Sequence, residues 1–124
     1  MDCDECDGPV VAYKVPESLR EYAGEYAATC TRCLALREAD FGGEPDFSRV
    51  SDEFPEGEAG VAMALALGKL DALALNRADI EELFAVVERA GSDPLLVLDR
   101  LSAQGNVRLH FDAARRRHQL EQLL

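Results

Sequence analysis

Two Cys-x-x-Cys pairs, Cys3/Cys6 in "CDEC" and Cys30/Cys33 in "CTRC", hold all four cysteines of the chain, with 23 residues between the pairs. A Cys-x-x-Cys turn places two sulfurs on one side of a tight loop. Two such loops brought together form the tetrahedral four-sulfur cage that Zn2+ prefers, with no coordination position left for a substrate. The spacer exceeds the roughly 15 to 20 residues usual for this pattern, and a short inserted helix accounts for the excess. The expectation is therefore one structural Zn2+ held by Cys3, Cys6, Cys30 and Cys33. Reduced thiols without a metal, or disulfides, are the plain alternatives. A thioredoxin-like redox pair fits less well, because Asp2, Asp4, Glu5 and Asp7 raise the thiol pKa values of the first pair. The spacings match neither ferredoxin pattern.

The elements that must position these thiols are short. "PVVAYKV" (9–15) alternates Val11, Tyr13 and Val15 against Val10, Ala12 and Lys14, as a strand does. Leu19, Tyr22 and Tyr26 then recur at helical spacing, with Pro16 suited to a start and Gly24 to a stop. "YAATC" and "CLALRE" read as strands entering and leaving the second pair. A segment of about 40 residues with so few apolar side chains does not build a core alone. Metal binding, about 10 to 16 kcal/mol in small zinc peptides, then decides whether it folds.

Residues 39–57 carry Gly42, Gly43, Pro45, Pro55 and Gly57 among many acids and read as a linker. Phe41, Phe47, Val50 and Phe54 are apolar for a free linker and are expected to dock on neighbouring surface. From residue 58 onward the pattern is helical. One helix is expected to run to about Leu75. A second, capped by Asn76, carries Ile80, Leu83, Phe84 and Val87 on one stripe and stops at Gly91. A third starts at Asp93 and Pro94 and stops at Gly105, and a last one follows Asp112. Between them, Val107, Leu109 and Phe111 alternate as in a short strand or an extended connector. The fold class expected is α+β: a zinc-ribbon module at 1–38, an acidic linker at 39–57 and a helical domain of three or four helices at 58–124.

The charge balance, 24 acidic residues against 13 basic and a net charge of −11, disfavours non-specific contact with nucleic acid or anionic membranes. No basic, apolar leader opens the chain, and the apolar run at 60–75 carries Lys69 and Asp71 and is too short to span a bilayer. A cytoplasmic setting follows as an expectation, and there thiols stay reduced and favour metal over disulfide. Arg115, Arg116 and Arg117 form one basic cluster, expected to answer acids within the chain before any phosphate. His110 and His118 need no metal to explain them. "LLVLDRLSAQGNVRLHF" resembles the helix and wing of a winged-helix module, yet its helix carries Asp93 and Asp99 against Arg100 where base-reading helices are basic. No phosphate loop, nucleophile elbow or paired catalytic carboxylate motif is present.

"CDECDG" and "CTRCLA" are similar to the knuckles of zinc ribbons. Together with an acidic, lysine-poor composition, they make the chain resemble the small CPxCG-related zinc finger proteins of haloarchaea, of unknown function. The resemblance implies that the four cysteines are zinc ligands. Asp7 and Leu34 stand where that family places glycine, and because leucine tolerates a left-handed backbone poorly, the second knuckle is expected to be the less regular. The functional expectation is a non-enzymatic zinc-binding protein acting through an unidentified protein partner. The alternative is a nucleic-acid-associated regulator of transcription or translation that uses the ribbon and the C-terminal helices.

Overall fold

The computed structural model describes residues 2–123. Strand β1 (Val10–Lys14) pairs antiparallel with β2 (Tyr26–Cys30), which pairs antiparallel with β3 (Leu36–Glu38), so β2 is central. Tyr13 lies opposite Ala27 and reaches diagonally to Thr29, where the two hydroxyls hydrogen-bond at 2.7 Å in the buried interior. A 3-10 turn (Glu17–Leu19) and the single-turn helix α1 (Arg20–Ala23) fill the β1–β2 connection, ending at Gly24 with φ 79°. That is the short helix expected between the two cysteine pairs.

Helix α2 (Gly57–Lys69) is the centre of the molecule. Every residue from Ala59 to Leu67 is buried, as in a helix surrounded on all sides. It packs along α3 (Leu73–Arg89) and against β3, where Gly68 lets Leu36 approach so closely that an added Cβ would lie 2.3 Å from the Leu36 Cβ. Helices α4 (Pro94–Ala103) and α5 (Ala113–Leu123) complete the C-terminal region. The chain is α+β, with a small antiparallel sheet followed by four helices.

One apolar core runs through the whole order of elements. Tyr13, Val15, Leu19, Ala27 and Leu34 join Phe47, Val50 and Phe54, and these join the buried faces of α2, α3 and α4. Phe47 sits edge-on to Tyr13 at 5.1 Å and tilted over Phe54 at 4.9 Å, so the acidic arm docks by its aromatics. Phe41 does not join them and stays exposed.

Two helix boundaries differ from the sequence reading. The first helix ends at Lys69, followed by a 3-10 turn (Leu70–Ala72), well before Leu75. Asn76 does not cap the next helix. Its side-chain amide donates backwards to the Lys69 and Ala72 carbonyls at 3.4 and 3.1 Å, satisfying acceptors that the preceding turn leaves open. The chain kinks there, with Asn76 at φ −111° inside α3. The other boundaries follow the expected chemistry. Gly91, at φ 97°, closes α3 in a Schellman arrangement, its N–H bonding Glu88 O while that of Ser92 bonds Val87 O. The Asp93 carboxylate accepts from Leu95 and Leu96 N–H ahead of α4, and Asp112 accepts from Arg115 N–H ahead of α5.

Candidate metal centre

The two Cys-x-x-Cys loops have the same backbone design. In the first, Cys3 N–H donates to Gly8 O and Asp7 N–H donates to Cys3 O, both at 2.9 Å. In the second, Cys30 N–H donates to Ala35 O at 3.0 Å and Leu34 N–H to Cys30 O at 3.1 Å. Both need a left-handed residue four positions after the first cysteine, and Asp7 (φ 61°) and Leu34 (φ 62°) supply it. The second knuckle is thus as regular as the first, contrary to the expectation from leucine's conformational preference. A left-handed non-glycine residue costs roughly 1 to 2 kcal/mol. Leu34 is fully buried in the main core, and burial of a leucine is worth about 1.5 to 3 kcal/mol. Packing therefore holds a turn that local preference disfavours.

The loops are tied to each other as well. Thr31 donates to Pro9 O through both its N–H and its hydroxyl, each at 2.9 Å. Gly8 sits where a Cβ would lie 3.0 Å from Arg32 Cβ and 3.2 and 3.3 Å from the Cys30 and Cys6 sulfurs. The close approach of the two loops leaves a side chain there little room.

The four sulfurs lie within 4.8 Å of one another, with Cys6–Cys30 at 3.4 Å and Cys3–Cys33 at 3.7 Å. A tetrahedron of sulfurs each about 2.3 Å from a central ion has edges of roughly 3.8 Å, so the residues fit a single enclosed ion. Cys3, Cys30 and Cys33 are 1 to 3 % exposed, and only Cys6 reaches the surface in part. The sulfurs are not electrostatically equal. Burial pushes the Cys33 and Cys6 thiols up. Burial also works against charge on Cys30, but the Cys33 and Arg32 amides, both 3.4 Å from its sulfur, and the neighbouring thiols outweigh it and hold its pKa below the ordinary value. These N–H groups compensate negative charge where a metal-bound cage of four thiolates would concentrate it. Outside the cage, Asp2, Asp4, Glu5 and Asp7 are exposed, with Arg37 paired to Asp4.

The segment 106–111 contributes a contact that the sequence reading did not foresee. Arg108 N–H donates to Arg32 O at 2.8 Å and His110 N–H to Cys33 O at 3.0 Å, so this extended connector lies along the second knuckle. It does not form the wing of a winged helix. The alternation of Val107, Leu109 and Phe111 was the available signal, but it identifies an extended chain without naming its neighbour. His110 is pinned beside the cage: its side chain is 8 % exposed, Nε2 lies 3.0 Å from Leu67 O, and Nδ1 lies 4.0 Å from the Asp71 carboxylate. Among the described residues, the cysteines are the only side chains grouped as a metal site, and neither His110 nor His118 joins them.

Two of the three cluster arginines serve the chain itself. Arg117 pairs with Asp99 of α4 at 2.9 Å and with Glu121, and Arg116 donates to Gln119 and to Asp71 O at 2.8 and 3.0 Å. Arg100, outside the cluster, is the arginine that meets the arm, through Glu53. Arg115 is exposed. No helix is long and apolar enough to cross a membrane among the described residues.

In comparison with known proteins, a family described as "Family of unknown function (DUF6276)" matches residues 2–124. No curated protein and no solved structure matches the chain.

Proposed function

The chain belongs to the DUF6276 family of unknown function, and from the cage itself we propose that it is a non-enzymatic protein with one structural Zn2+ on Cys3, Cys6, Cys30 and Cys33. The observation that carries this reading is the four-sulfur geometry: two identical knuckles, crossed and tied by Thr31, with every sulfur within 4.8 Å of the rest. Such a site is closed, and its use is to hold the chain together. Sulfurs this close grip one ion and leave no space for a multi-iron cluster. The likeness of the knuckles to haloarchaeal CPxCG-related zinc fingers agrees with the acidic composition, and a cytoplasmic setting agrees with thiol ligands.

The biochemical role that fits is contact with a protein partner. Arg116 and Arg117 are engaged within the chain, which leaves little of the basic cluster for phosphate, and the net charge of −11 opposes a polyanion. Native mass spectrometry of protein purified in high salt, without chelators, tests the whole reading. One zinc per chain and a co-purifying protein are expected, with the metal lost in Cys30→Ser. Metal-free protein with native amide dispersion would refute the zinc assignment. Retention on nucleic acid that is salt-dependent and weakened when Arg115 to Arg117 are replaced by Ala would favour the regulatory alternative.

A further inference from the structure

We propose that the cage is a peroxide-sensitive release point, in which oxidation joins the two knuckles through Cys6 and Cys30 and frees the bound ion. The inference rests on the metal-bound reading above. Cys3, Cys30 and Cys33 are 1 to 3 % exposed and Cys6 alone is partly open, so a small oxidant meets Cys6 first. Cys6 lies 3.4 Å from Cys30, on the opposite knuckle, so the two sulfurs that a disulfide of about 2.05 Å would join are already in contact. Cys30 is also the sulfur that accepts the Arg32 and Cys33 amides, each at 3.4 Å, which hold it in place facing Cys6. The exposed acids Asp2, Asp4, Glu5 and Asp7 repel anionic oxidants, so the oxidant class is a neutral hydroperoxide.

The steps balance with hydrogen peroxide as the two-electron oxidant. The Cys6 thiolate attacks one peroxide oxygen, the O–O bond breaks, and the departing hydroxide takes a proton to leave as water. Cys6 is then a sulfenic acid. The Cys30 thiolate attacks the Cys6 sulfur, the S–O bond breaks, and a second hydroxide leaves as water after taking a proton. Two thiolates are oxidised to one disulfide, one peroxide is reduced to two waters, and two protons are consumed. Cys3 and Cys33 remain as two thiolates, too few to retain the ion. The new bond spans the same two loops that the ion spanned, and the Thr31–Pro9 hydrogen bonds are compatible with it, so the knuckles stay crossed after release.

The test uses the full chain with its metal content measured first, so that an empty protein overturns the metal reading and this inference together. Metal-loaded protein is treated with excess hydrogen peroxide, a chromogenic chelator follows the freed ion, and disulfides are mapped by digestion and mass spectrometry. Release of one ion per chain in step with a first Cys6–Cys30 linkage is expected, with the helical circular dichroism retained. A Cys6→Ser protein that still holds its ion should release it at least an order of magnitude more slowly. If that variant does not hold metal, the mapping of the unaltered chain decides. Ion retained through peroxide treatment, or a first linkage within a knuckle (Cys3–Cys6 or Cys30–Cys33), overturns the inference while leaving the structural metal site intact.

Discussion

The thiol end and the helical end of this molecule are held by different physics. Around α2 and α3, residues such as Leu65, Leu67, Ile80, Leu83 and Phe84 are wholly buried, and stability there scales with apolar area removed from water. Around the sulfurs a separate small cluster forms from Cys3, Cys30 and Cys33, with Cys6, Val10 and Ala35 half-buried beside them, apart from the main core. Few apolar atoms are available there, and backbone hydrogen bonds within and between the loops carry more of the structure. The two regions are nevertheless joined at three places: Leu34 enters the core from the second knuckle, Leu36 packs on Gly68, and the 106–111 connector bonds to Arg32 and Cys33. The lesson is that a four-cysteine end need not be an independent module. It can share a core with a part of the chain that folds by burial.

Chelation should separate the two regions most sharply. With the proposed zinc removed, amide exchange at Cys3, Asp7, Cys30 and Leu34 should accelerate by orders of magnitude, while α2 and α3 remain protected, because the lost metal term is about 10 to 16 kcal/mol in small zinc peptides and acts locally. Hydrogen-exchange mass spectrometry reads this directly, and simultaneous loss of α2 would show one cooperative unit instead. Phe84→Ala probes the opposite end. It should cost about 3 to 5 kcal/mol in urea unfolding, with the metal content of the folded fraction unchanged.

Gly68→Ala strikes the junction. Its Cβ meets Leu36 at 2.3 Å, so overpacking should cost about 1 to 3 kcal/mol and weaken metal binding together, a combined loss that neither end alone would give. Gly8→Ala should act only on the thiol end, lowering metal affinity about tenfold, or about 1.4 kcal/mol, in a chelator competition, with the unfolding midpoint of the helical region unmoved. Arg117→Ala should give the smallest effect, a slight drop in unfolding midpoint that disappears in high salt, because its pairs with Asp99 and Glu121 are at the surface.

Much of this was legible in the chain because the signals are local. The cysteine spacing names the four thiols that the fold brings together, since a Cys-x-x-Cys turn is made by neighbouring residues. Pro94 after Asp93, the Gly91 stop and the Ile80–Val87 stripe mark helices through contacts within a turn or two. The illegible parts are those in which one segment answers to another far away. Asn76 looks like a cap in isolation, yet the carbonyls of Lys69 and Ala72 draw its amide backwards. Phe47, Val50 and Phe54 sit in a stretch that reads as linker, and their burial depends on Tyr13 and α2.

Sequence alone determined the four thiols, the acidic rim around them and the α+β order of elements, because residue type and short-range spacing set ligand chemistry and local periodicity. Tertiary structure decided that both knuckles take the same left-handed turn. At Leu34 the local preference runs against that turn, and only burial of the side chain in a core built by distant helices makes it the lower-energy choice.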